Sequence, residues 1–320
     1  MTGEAHAAPI VVTGATGFIG RHLIATLVAR GYPVRAVART GSCNMMPPGV
    51  ERHEINDLVG TDWTAVLAGA DAILHTAAIA HRLEPTTTAE RDRVRAVNVD
   101  ATRELTTAAN ASGVRRMVLL SSIGVLGAQS GDSAFDENSP PAPHDFYSWT
   151  KLESERVAIA ARGDVELTIV RPPLVFGPHA PGNFGRLMKC VRRGIPLPLG
   201  SVHNRRSLLS VWNLCEFLIA CLTGQGALGS PLLVADEEVI STSELLRVCA
   251  KIAGNRLPPL PVPISILRIA ATAIGRRAEV ERLCSSLVID SRSSQARTGW
   301  RPNLSLRDGL YRTLRPDNAA

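Results

Sequence analysis

Tyrosine and lysine are both scarce in this chain of 320 residues. Tyrosine occurs three times and lysine only at Lys151, Lys189 and Lys251, so arginine supplies the other 32 of the 35 basic residues. Aromatic residues make up 4% of the chain, and no run of more than two arginines occurs. Although the net charge is +6, the chain lacks the basic patches interleaved with aromatic side chains that bind nucleic acid, so no nucleic-acid partner is expected. An anionic small molecule explains the charge equally well.

Motifs for metal binding, export and membrane insertion are missing too. The six cysteines form no C-x-x-C pair and no histidine–cysteine cluster, so we expect buried thiols in a reducing compartment and no metal site. The first residues contain no basic segment followed by an apolar run, so no secretory signal is expected. The apolar stretch 261–275 is interrupted by Arg268 and is too short to cross a bilayer. We therefore expect a cytoplasmic protein without membrane insertion.

Apolar runs alternate with helical patterns over the first 180 residues. The runs at 10–13, 34–38, 72–75, 117–121 and 167–170 are typical of buried strands. Helical patterns lie between them at 20–30, 91–112 and 147–162. Short, fully apolar strands separated by helices predict an α/β fold, with a doubly wound parallel sheet of the Rossmann type.

The pattern changes after Pro172. Proline and glycine now interrupt the chain repeatedly, and helices are predicted at 184–193, 211–223, 241–253 and 263–274. We therefore predict a dinucleotide-binding Rossmann domain at 1–172 and a smaller C-terminal substrate-binding domain at 173–320. Some segments of the second part are expected to return to the Rossmann sheet.

The first predicted strand runs into a glycine-rich turn. Gly14, Gly17 and Gly20 follow a G-x-x-G-x-x-G spacing between a strand and a helix. Such a turn lets the backbone approach a pyrophosphate, which then lies at the positive end of the helix dipole. Glycine triplets alone are weak evidence, but their place after the first strand of an α/β chain favours dinucleotide binding.

The end of the second predicted strand bears on the choice of cofactor. NAD-binding sites carry an acid here for the ribose hydroxyls, whereas this chain has Ala38 followed by Arg39. An arginine can bind a 2′-phosphate, so NADP is favoured over NAD, which stays possible. Asp57, Leu58, Ala77, Ala78 and Ile79 are expected to line the adenine and ribose side.

Tyr147 and Lys151 form the most specific pair. The i, i+4 spacing places both side chains on one face of a helix. An ammonium beside a phenol is expected to lower the pKa of the tyrosine, making it a usable proton donor and acceptor. With three tyrosines and three lysines in the chain, chance pairing at this spacing is rare. Ser121 and Ser122 end a predicted strand, where a hydroxyl can bind a substrate oxygen.

Six further motifs accompany the glycine turn and the Tyr147–Lys151 pair. They are HTAA (75–78), NVDAT (98–102), SSIGVLG (121–127), RPPLVFGP (171–178), RRSLLSV (205–211) and TGWRPNLSLRDGL (298–310). Together they resemble the extended short-chain dehydrogenase/reductases of the NAD(P)-dependent nucleotide-sugar epimerase/dehydratase family, within a bacterial UDP-sugar 4-epimerase and 4-ketoreductase subgroup. The resemblance covers essentially the whole chain and implies an enzyme with a seven-stranded sheet.

The family's site residues carry over by position. The resemblance implies catalysis by Ser122, Tyr147 and Lys151, with Asn98 supporting a water behind the lysine. It adds Thr16, Phe18, Ile19, Ser121 and Pro172 to the cofactor contacts. For the substrate, it implies contacts from Ser122, Ile123, Asn183, Arg206 and Arg282, the two arginines acting on the diphosphate.

Departures from the family pattern narrow the expected reaction. Dehydratases of this group carry an Asp-Glu pair where this chain has Ile123 and Gly124, so a 4,6-dehydratase is not expected. Leu126 replaces a usual aromatic residue, and the segment 285–287 lacks a large aromatic side chain, which permits a 2-acetamido sugar.

The interpretation from sequence is an NADP-dependent reductase of a UDP-4-keto-6-deoxy-N-acetylhexosamine in polysaccharide synthesis. The main alternative is a redox-neutral UDP-glucose or UDP-N-acetylglucosamine 4-epimerase with retained NAD. A reductase of another ketone, such as a steroid, and a non-catalytic NADP-binding regulator are less favoured. The stereochemistry at C4 stays open. The resemblance implies a homodimer paired through the helix that carries Tyr147, with the alternative that the apolar residues of this helix belong to the core of a monomer.

Overall fold

Parallel strand pairing builds the sheet that organises this protein. The computed structural model describes residues 8–42, 46–80, 86–224, 231–255, 259–273 and 275–315. Its strands are β1 (Ile10–Thr13), β2 (Val34–Arg39), β3 (Glu51–Ile55), β4 (Ala72–His75), β5 (Arg116–Leu120), β6 (Glu166–Arg171), β7 (Leu174–Phe176), β8 (Arg206–Ser210), β9 (Leu232–Leu233) and β10 (Val239–Ile240). Seven of them form a sheet in the order β3-β2-β1-β4-β5-β6-β9, and each neighbouring pair is parallel.

Helices cover both faces of this sheet. The helices of the described residues are α1 (Phe18–Ala29), α2 (Trp63–Leu67), α3 (Thr88–Arg95), α4 (Ala101–Ala111), α5 (Phe146–Ala161), α6 (Gly182–Arg192), α7 (Val211–Thr223), α8 (Thr242–Ile252), α9 (Ile264–Ala273), α10 (Arg277–Cys284), α11 (Arg292–Thr298) and α12 (Leu306–Leu314), of which α1, α2, α4, α5 and α7 pack on the seven-stranded sheet. Successive β1 side chains enter opposite layers: Ile10 and Val12 pack in the core with α1 and α7, and Val11 packs in the core with α2 and α4. Because both faces are buried, the central strands are continuously apolar.

The strand order changes direction beside β1, between β1 and β4. In open parallel sheets, ligands bind at the carboxyl ends of the strands where the order reverses. The turns after β1 and β4 therefore form the floor of a cleft.

The second half of the chain builds a smaller layer and also completes the large sheet. β10, β8 and β7 form a separate three-stranded sheet, which packs with α6, α8 and α12 around a core containing Phe176 and Phe184. In contrast, β9 pairs with β6 in the seven-stranded sheet, and α7 packs against α1. The α/β fold class and the seven-stranded sheet predicted from sequence are confirmed.

Element boundaries differ slightly from those predicted. The helical pattern at 91–112 is divided into α3, a π-helical turn at Ala96–Asp100 and α4. The strand predicted at 117–121 ends at Leu120, which leaves Ser121 and Ser122 in the loop after β5. Of the cysteines, Cys43 lies outside the described residues, and the other five are free.

Two absences hold for the part of the chain that the structure describes. There, no helix is long and apolar enough to span a bilayer. Nor does any group of three or more His, Cys, Asp or Glu side chains in those ranges form a candidate metal site.

Candidate active site

The turn after β1 is shaped by close backbone contacts. Gly14 has a φ of +70°, and a Cβ there would lie 2.8 Å from the backbone nitrogen of Ala77, in the turn after β4. A Cβ on Gly20 would lie 2.1 Å from the carbonyl oxygen of Gly14. Only glycine therefore lets α1 begin directly against the turn, with its first amides facing the cleft.

The cleft above this turn has a volume of about 290 Å³. It is lined by Gly14, Thr16, Gly17, Arg39, Asp57, Leu58, Ala77, Ala78 and Ile79, all of them predicted cofactor contacts. Val37, Ala38, Ile55, Arg93 and Val97 line it as well and were not predicted as contacts. Residues from β1, β2, β3 and β4 thus meet at one edge of the sheet, as parallel pairing requires.

Arg93 is the most consequential of the unpredicted residues. It extends from α3 and pairs with Asp57, with 2.5 Å between Nη2 and Oδ2. Partial burial acts to raise the pKa of Asp57, but the hydrogen bond from Arg93 and backbone amides outweigh it and lower that pKa. The sequence offers no signal that separates this arginine from the others on helical surfaces.

Asn98 organises the loop beside the cleft. Its Oδ1 accepts a hydrogen bond of 2.8 Å from the Ile79 amide, and its Nδ2 donates to Thr150 Oγ1 at 3.0 Å. The side chain therefore ties the turn after β4 to α5, the Tyr147 helix. Its position in a π-helical turn is typical of functional sites.

The first turn of α5 is fixed by a capping residue. Asp145 Oδ1 accepts from the Ser148 amide at 2.7 Å, and His144 lies 3.3 Å from its other oxygen. Burial acts to raise the pKa of Asp145, but the hydrogen bonds from His144 and Ser148 lower it overall. The carboxylate therefore stays charged and fixes the start of the helix. Because Tyr147 lies in the first turn, its position is fixed as well.

Ser122 lies against that first turn. Its Oγ accepts from the Gly124 amide at 3.1 Å, which leaves the hydroxyl hydrogen available to donate. A Cβ on Gly124 would lie 2.5 Å from Ser148 Oγ. The small residue at 124 thus allows the Ser122 loop and the Tyr147 helix to pack closely.

The ionisation of Tyr147 differs from the expectation. Burial, together with the negative charge of Asp145, raises the pKa of the phenol. Burial lowers the pKa of Lys151 to about 8, although the Glu155 carboxylate opposes this effect. The expected lowering of the tyrosine pKa is therefore wrong for this arrangement, because desolvation and the Asp145 charge both act to raise it.

Other predicted cofactor contacts have structural partners. Phe18 packs edge to face against His22, with 5.7 Å between ring centroids, and Ile19 packs against the core. The Ser121 hydroxyl is directed into the protein, where it donates to Glu155. Pro172 contributes its carbonyl oxygen, which accepts from the Ile123 amide at 2.9 Å. The Ile123 side chain, predicted to touch substrate, is buried in a cluster with Leu126 and Leu287.

A second, smaller cavity lies in the other half of the molecule. Its volume is about 120 Å³, and its lining includes three of the five predicted substrate residues, Asn183, Arg206 and Arg282, but neither Ser122 nor Ile123. Arg206 is not free to clamp a ligand alone, because its Nη1 donates to the carbonyl oxygens of Arg282 at 2.7 Å and Ser285 at 3.1 Å. Arg282 has a buried Nε without a hydrogen-bond partner in the described part of the chain.

The larger cleft fits a nicotinamide dinucleotide. The missing Cβ at Gly14 lets the turn after β1 pack directly on the backbone of Ala77. Asn98 links Ile79, at the edge of the cleft, to α5, which carries Tyr147 and Lys151, and the Ser122 loop packs on the first turn of that helix. A lysine ammonium can hold a ribose, and tyrosine and serine hydroxyls can exchange a proton with a substrate oxygen. The carbon that bears this oxygen would be the one that undergoes hydride transfer. The fold and site together define an NAD(P)-dependent enzyme of the short-chain dehydrogenase type.

Comparison with known proteins gives the family. Residues 10–251 match the NAD dependent epimerase/dehydratase family, and the chain belongs to it. The chain is 33% identical over 309 residues to UDP-glucose 4-epimerase of Vibrio cholerae, covering 95% of this chain and 94% of that protein. It is 32% identical over 265 residues to 3 beta-hydroxysteroid dehydrogenase/Delta 5-->4-isomerase of Mycobacterium tuberculosis, covering 79% of this chain and 71% of that one.

A solved structure adds ligands to the comparison. The structure of MoeE5 in complex with UDP-glucose and NAD matches with a TM-score of 0.76 and 27% identity. The match covers 96% of this chain and 97% of MoeE5. The two clefts described above therefore occur in a fold that accommodates a dinucleotide and a UDP-sugar in that protein.

Proposed function

We propose that this protein is a UDP-hexose 4-epimerase that acts on UDP-glucose or UDP-N-acetylglucosamine. The observation that carries the proposal is the 33% identity to a UDP-glucose 4-epimerase over 95% of the chain. The comparisons favour this alternative over the net reductase that the sequence analysis placed first. The 4-keto reductase remains a second candidate, because Ala38 and Arg39 in the cleft suit NADP, the cofactor of net reductions.

The side chains of this protein have distinct roles in the proposed reaction. A bound nicotinamide dinucleotide supplies the reversible exchange of a hydride at C4. Tyr147 takes the proton of the O4 hydroxyl and later returns it, while the configuration at C4 would depend on which face of the sugar ring receives the hydride back. Ser122 donates a hydrogen bond to O4, because its Oγ already accepts from the Gly124 amide and its hydroxyl hydrogen is available. Lys151 holds the ribose hydroxyls and stabilises the tyrosinate form.

The raised pKa of Tyr147 places a condition on this mechanism. The phenol keeps its proton at neutral pH, which suits the general acid but not the general base. Deprotonation of Tyr147 therefore depends on a charged Lys151. Since the pKa of Lys151 is about 8, the positive charge is present at neutral pH and is lost as the pH rises above 8.

The second cavity is proposed to bind the UDP group. Arg282 lines the cavity and brings a guanidinium whose buried Nε has no hydrogen-bond partner among the described residues, and Asn183 lies in the first turn of α6, where backbone amides favour anions. Arg206 supports this site by holding the backbone at 282 and 285.

The proposed dimer uses the exposed face of α5. Ile159 on this helix is 53% exposed and Trp149 is 38% exposed, although both are large and apolar. Apolar side chains on the Tyr147 helix suit a four-helix interface between two copies. Light scattering of the purified protein, with Ile159→Glu as the disrupting variant, tests this proposal.

The reaction is tested with purified protein and no added cofactor. The protein is incubated separately with UDP-glucose and UDP-N-acetylglucosamine, and products are identified by NMR. We expect the matching 4-epimer without net change in nicotinamide absorbance, and no product with Tyr147→Phe. Absence of any epimer would contradict the proposal. Oxidation of added NADPH by a UDP-4-keto-6-deoxy-N-acetylhexosamine would instead establish the reductase, and NAD reduction by a 3β-hydroxysteroid would establish a steroid dehydrogenase.

A further inference from the structure

A third polar residue continues the catalytic face of α5. Glu155 follows Lys151 by four residues and Tyr147 by eight, so the three side chains lie along one stripe of the helix. Glu155 is only 2% exposed and Lys151 only 1%. Burying a charged carboxylate carries a high desolvation penalty unless the carboxylate is paired and hydrogen-bonded.

Glu155 has such partners on two neighbouring strands. Arg171, at the end of β6, donates from Nε to Oε1 at 3.0 Å and from Nη2 to Oε2 at 2.6 Å. Ser121, just beyond the end of β5, donates its hydroxyl to Oε1. One carboxylate therefore joins α5 to the ends of two strands.

Both partners are next to residues of the proposed site. Ser121 precedes the catalytic Ser122, and Arg171 precedes Pro172, whose carbonyl oxygen accepts from the Ile123 amide at 2.9 Å. The segment that carries Ser122 is thus held from both sides, and Glu155 links it to the helix of Tyr147 and Lys151. Catalytic side chains must be held within about 0.5 Å of their working geometry, and supporting contacts of this kind hold them there.

The charges around Lys151 make Glu155 its main source of stabilisation. Elements packed around this part of α5 carry many charged and titratable groups. They are Asp145, Tyr147, Glu153, Glu155 and Arg156 on α5 and its cap, Glu166 and Arg171 on β6, His75 on β4, Asp100 in the π-helical turn, Arg103 and Glu104 on α4, and Glu90, Arg91, Asp92, Arg93 and Arg95 on α3. His75 is neutral, because burial lowers its pKa to about 3. Asp100 pairs with Arg103 at 3.1 Å, and Arg91 lies over the ring of Phe146 at 5.5 Å. Glu155 is the carboxylate that raises the pKa of Lys151.

We propose that Glu155 is a positioning residue of the active site, which fixes Ser122 relative to Tyr147 and keeps the buried Lys151 ammonium charged. The carboxylate acts through its neighbours and does not touch the substrate. The kinetic part of this inference rests on the proposed epimerase activity, whereas the charge state of Lys151 does not.

The scarcity of lysine permits a direct test. A protein labelled with ¹⁵N-lysine gives only three side-chain signals, and Lys189 and Lys251 are exposed and serve as internal references. In the wild type we expect the Lys151 signal to titrate near pH 8, in accordance with its pKa of about 8. In Glu155→Gln the side chain keeps its shape but loses its charge, and Arg171 is left without a counter-charge. We expect the Lys151 titration to move about one pH unit lower.

Two further variants separate charge from structure. The double variant Glu155→Gln/Arg171→Met removes both charges, and the Lys151 titration should move back towards the wild-type value. Glu153→Gln lies on the same helix and removes a carboxylate that pairs with Arg156 at 2.6 Å on the surface. This matched control should leave the Lys151 titration unchanged. A titration that is the same in wild type and Glu155→Gln would overturn the proposal, and so would an equal shift in Glu153→Gln.

The kinetic profile supplies the second readout. The alkaline limb of kcat/KM should shift downward in Glu155→Gln by the same amount as the Lys151 signal, and kcat at neutral pH should fall about tenfold. If neither UDP-sugar is converted but the NMR shift is present, the proposed function fails and the role of Glu155 in holding the charge stands. If UDP-sugar is converted but neither the alkaline limb of kcat/KM nor the Lys151 titration moves in Glu155→Gln, the proposed role of Glu155 is wrong.

Discussion

The cleft at Gly14, proposed as the dinucleotide cleft, and the smaller cavity at Arg206, proposed as the substrate cavity, are built in different ways. In the dinucleotide cleft, main-chain atoms meet directly, as where Gly14 lies against the backbone of Ala77. In the substrate cavity, a long side chain holds the backbone, since the Arg206 guanidinium donates to carbonyl oxygens 76 and 79 residues further along the chain. The first construction depends on which residues lack a Cβ, whereas the second depends on how far a flexible side chain reaches. Substitutions in each region should therefore fail in different ways.

The largest effect is expected at Tyr147, on the helix α5. Tyr147→Phe removes the hydroxyl that we propose donates and accepts the proton, while leaving the ring in place. We expect kcat for UDP-glucose to fall by about 10²- to 10⁴-fold, with little change in the dissociation constant of either NAD or UDP. The measurement combines steady-state kinetics with calorimetry for the two ligands. Retention of full activity would remove Tyr147 from the mechanism.

A glycine substitution probes the backbone contact in the dinucleotide cleft. Gly14→Ala introduces a Cβ at a φ of +70° and 2.8 Å from the Ala77 nitrogen. We expect a loss of about 1–3 kcal/mol in the free energy of unfolding and about a tenfold or greater loss of dinucleotide affinity, because the turn must shift. UDP affinity should change little.

Gly31→Ala is the matched control for that substitution. Gly31 has a φ of +76°, but a Cβ there would meet nothing within 4 Å. Thermal unfolding should show a loss of about 1 kcal/mol without any change in dinucleotide affinity. If both variants bind the dinucleotide equally well, the close contact at Gly14 is not what shapes the site.

The substrate cavity is tested by its two arginines. Arg282→Ala removes an unpartnered Nε, and we expect about a tenfold loss of UDP affinity at unchanged Tm. Arg206→Ala removes the two hydrogen bonds to the backbone at 282 and 285, so both the UDP affinity and the Tm should fall. Dinucleotide affinity is the internal reference for both. Equal thermal stability of the two variants would contradict the supporting role of Arg206.

The smallest effect is expected at Arg39, on the exposed edge of the dinucleotide cleft. Arg39 is exposed and lines the cleft where NAD-specific sites carry an acid. Arg39→Ala should weaken NADP binding about three- to tenfold, because a solvent-exposed charge pair is worth about 1 kcal/mol, and NAD binding should not change. Fluorescence titration with both reduced cofactors at two salt concentrations measures this. If the wild type binds NAD more tightly than NADP, the substitution of the acid by Ala38 does not confer NADP preference.

Much of the dinucleotide cleft could be predicted from the sequence. The glycine turn, Asp57, Leu58 and 77–79 lie where the strand pattern predicted them, because parallel strands end at a common edge and short loops keep the following residues there. Arg93 was missed because it comes from a helix joined to the sheet by a longer segment. Glu155 could have been found, since it continues the spacing of Tyr147 and Lys151, but its partners Ser121 and Arg171 are not local.

The sequence by itself determined the alternation of strands and helices, the backbone turn at Gly14 and the common helical face of Tyr147, Lys151 and Glu155. These follow from local rules, since a missing Cβ and a helical repeat act over a few residues. Only the tertiary structure decided the rise in the pKa of Tyr147, the commitment of Arg206 to the backbone and the pairing of Glu155 with Arg171. Burial and the reach of long side chains depend on segments that are distant along the chain and adjacent only after folding.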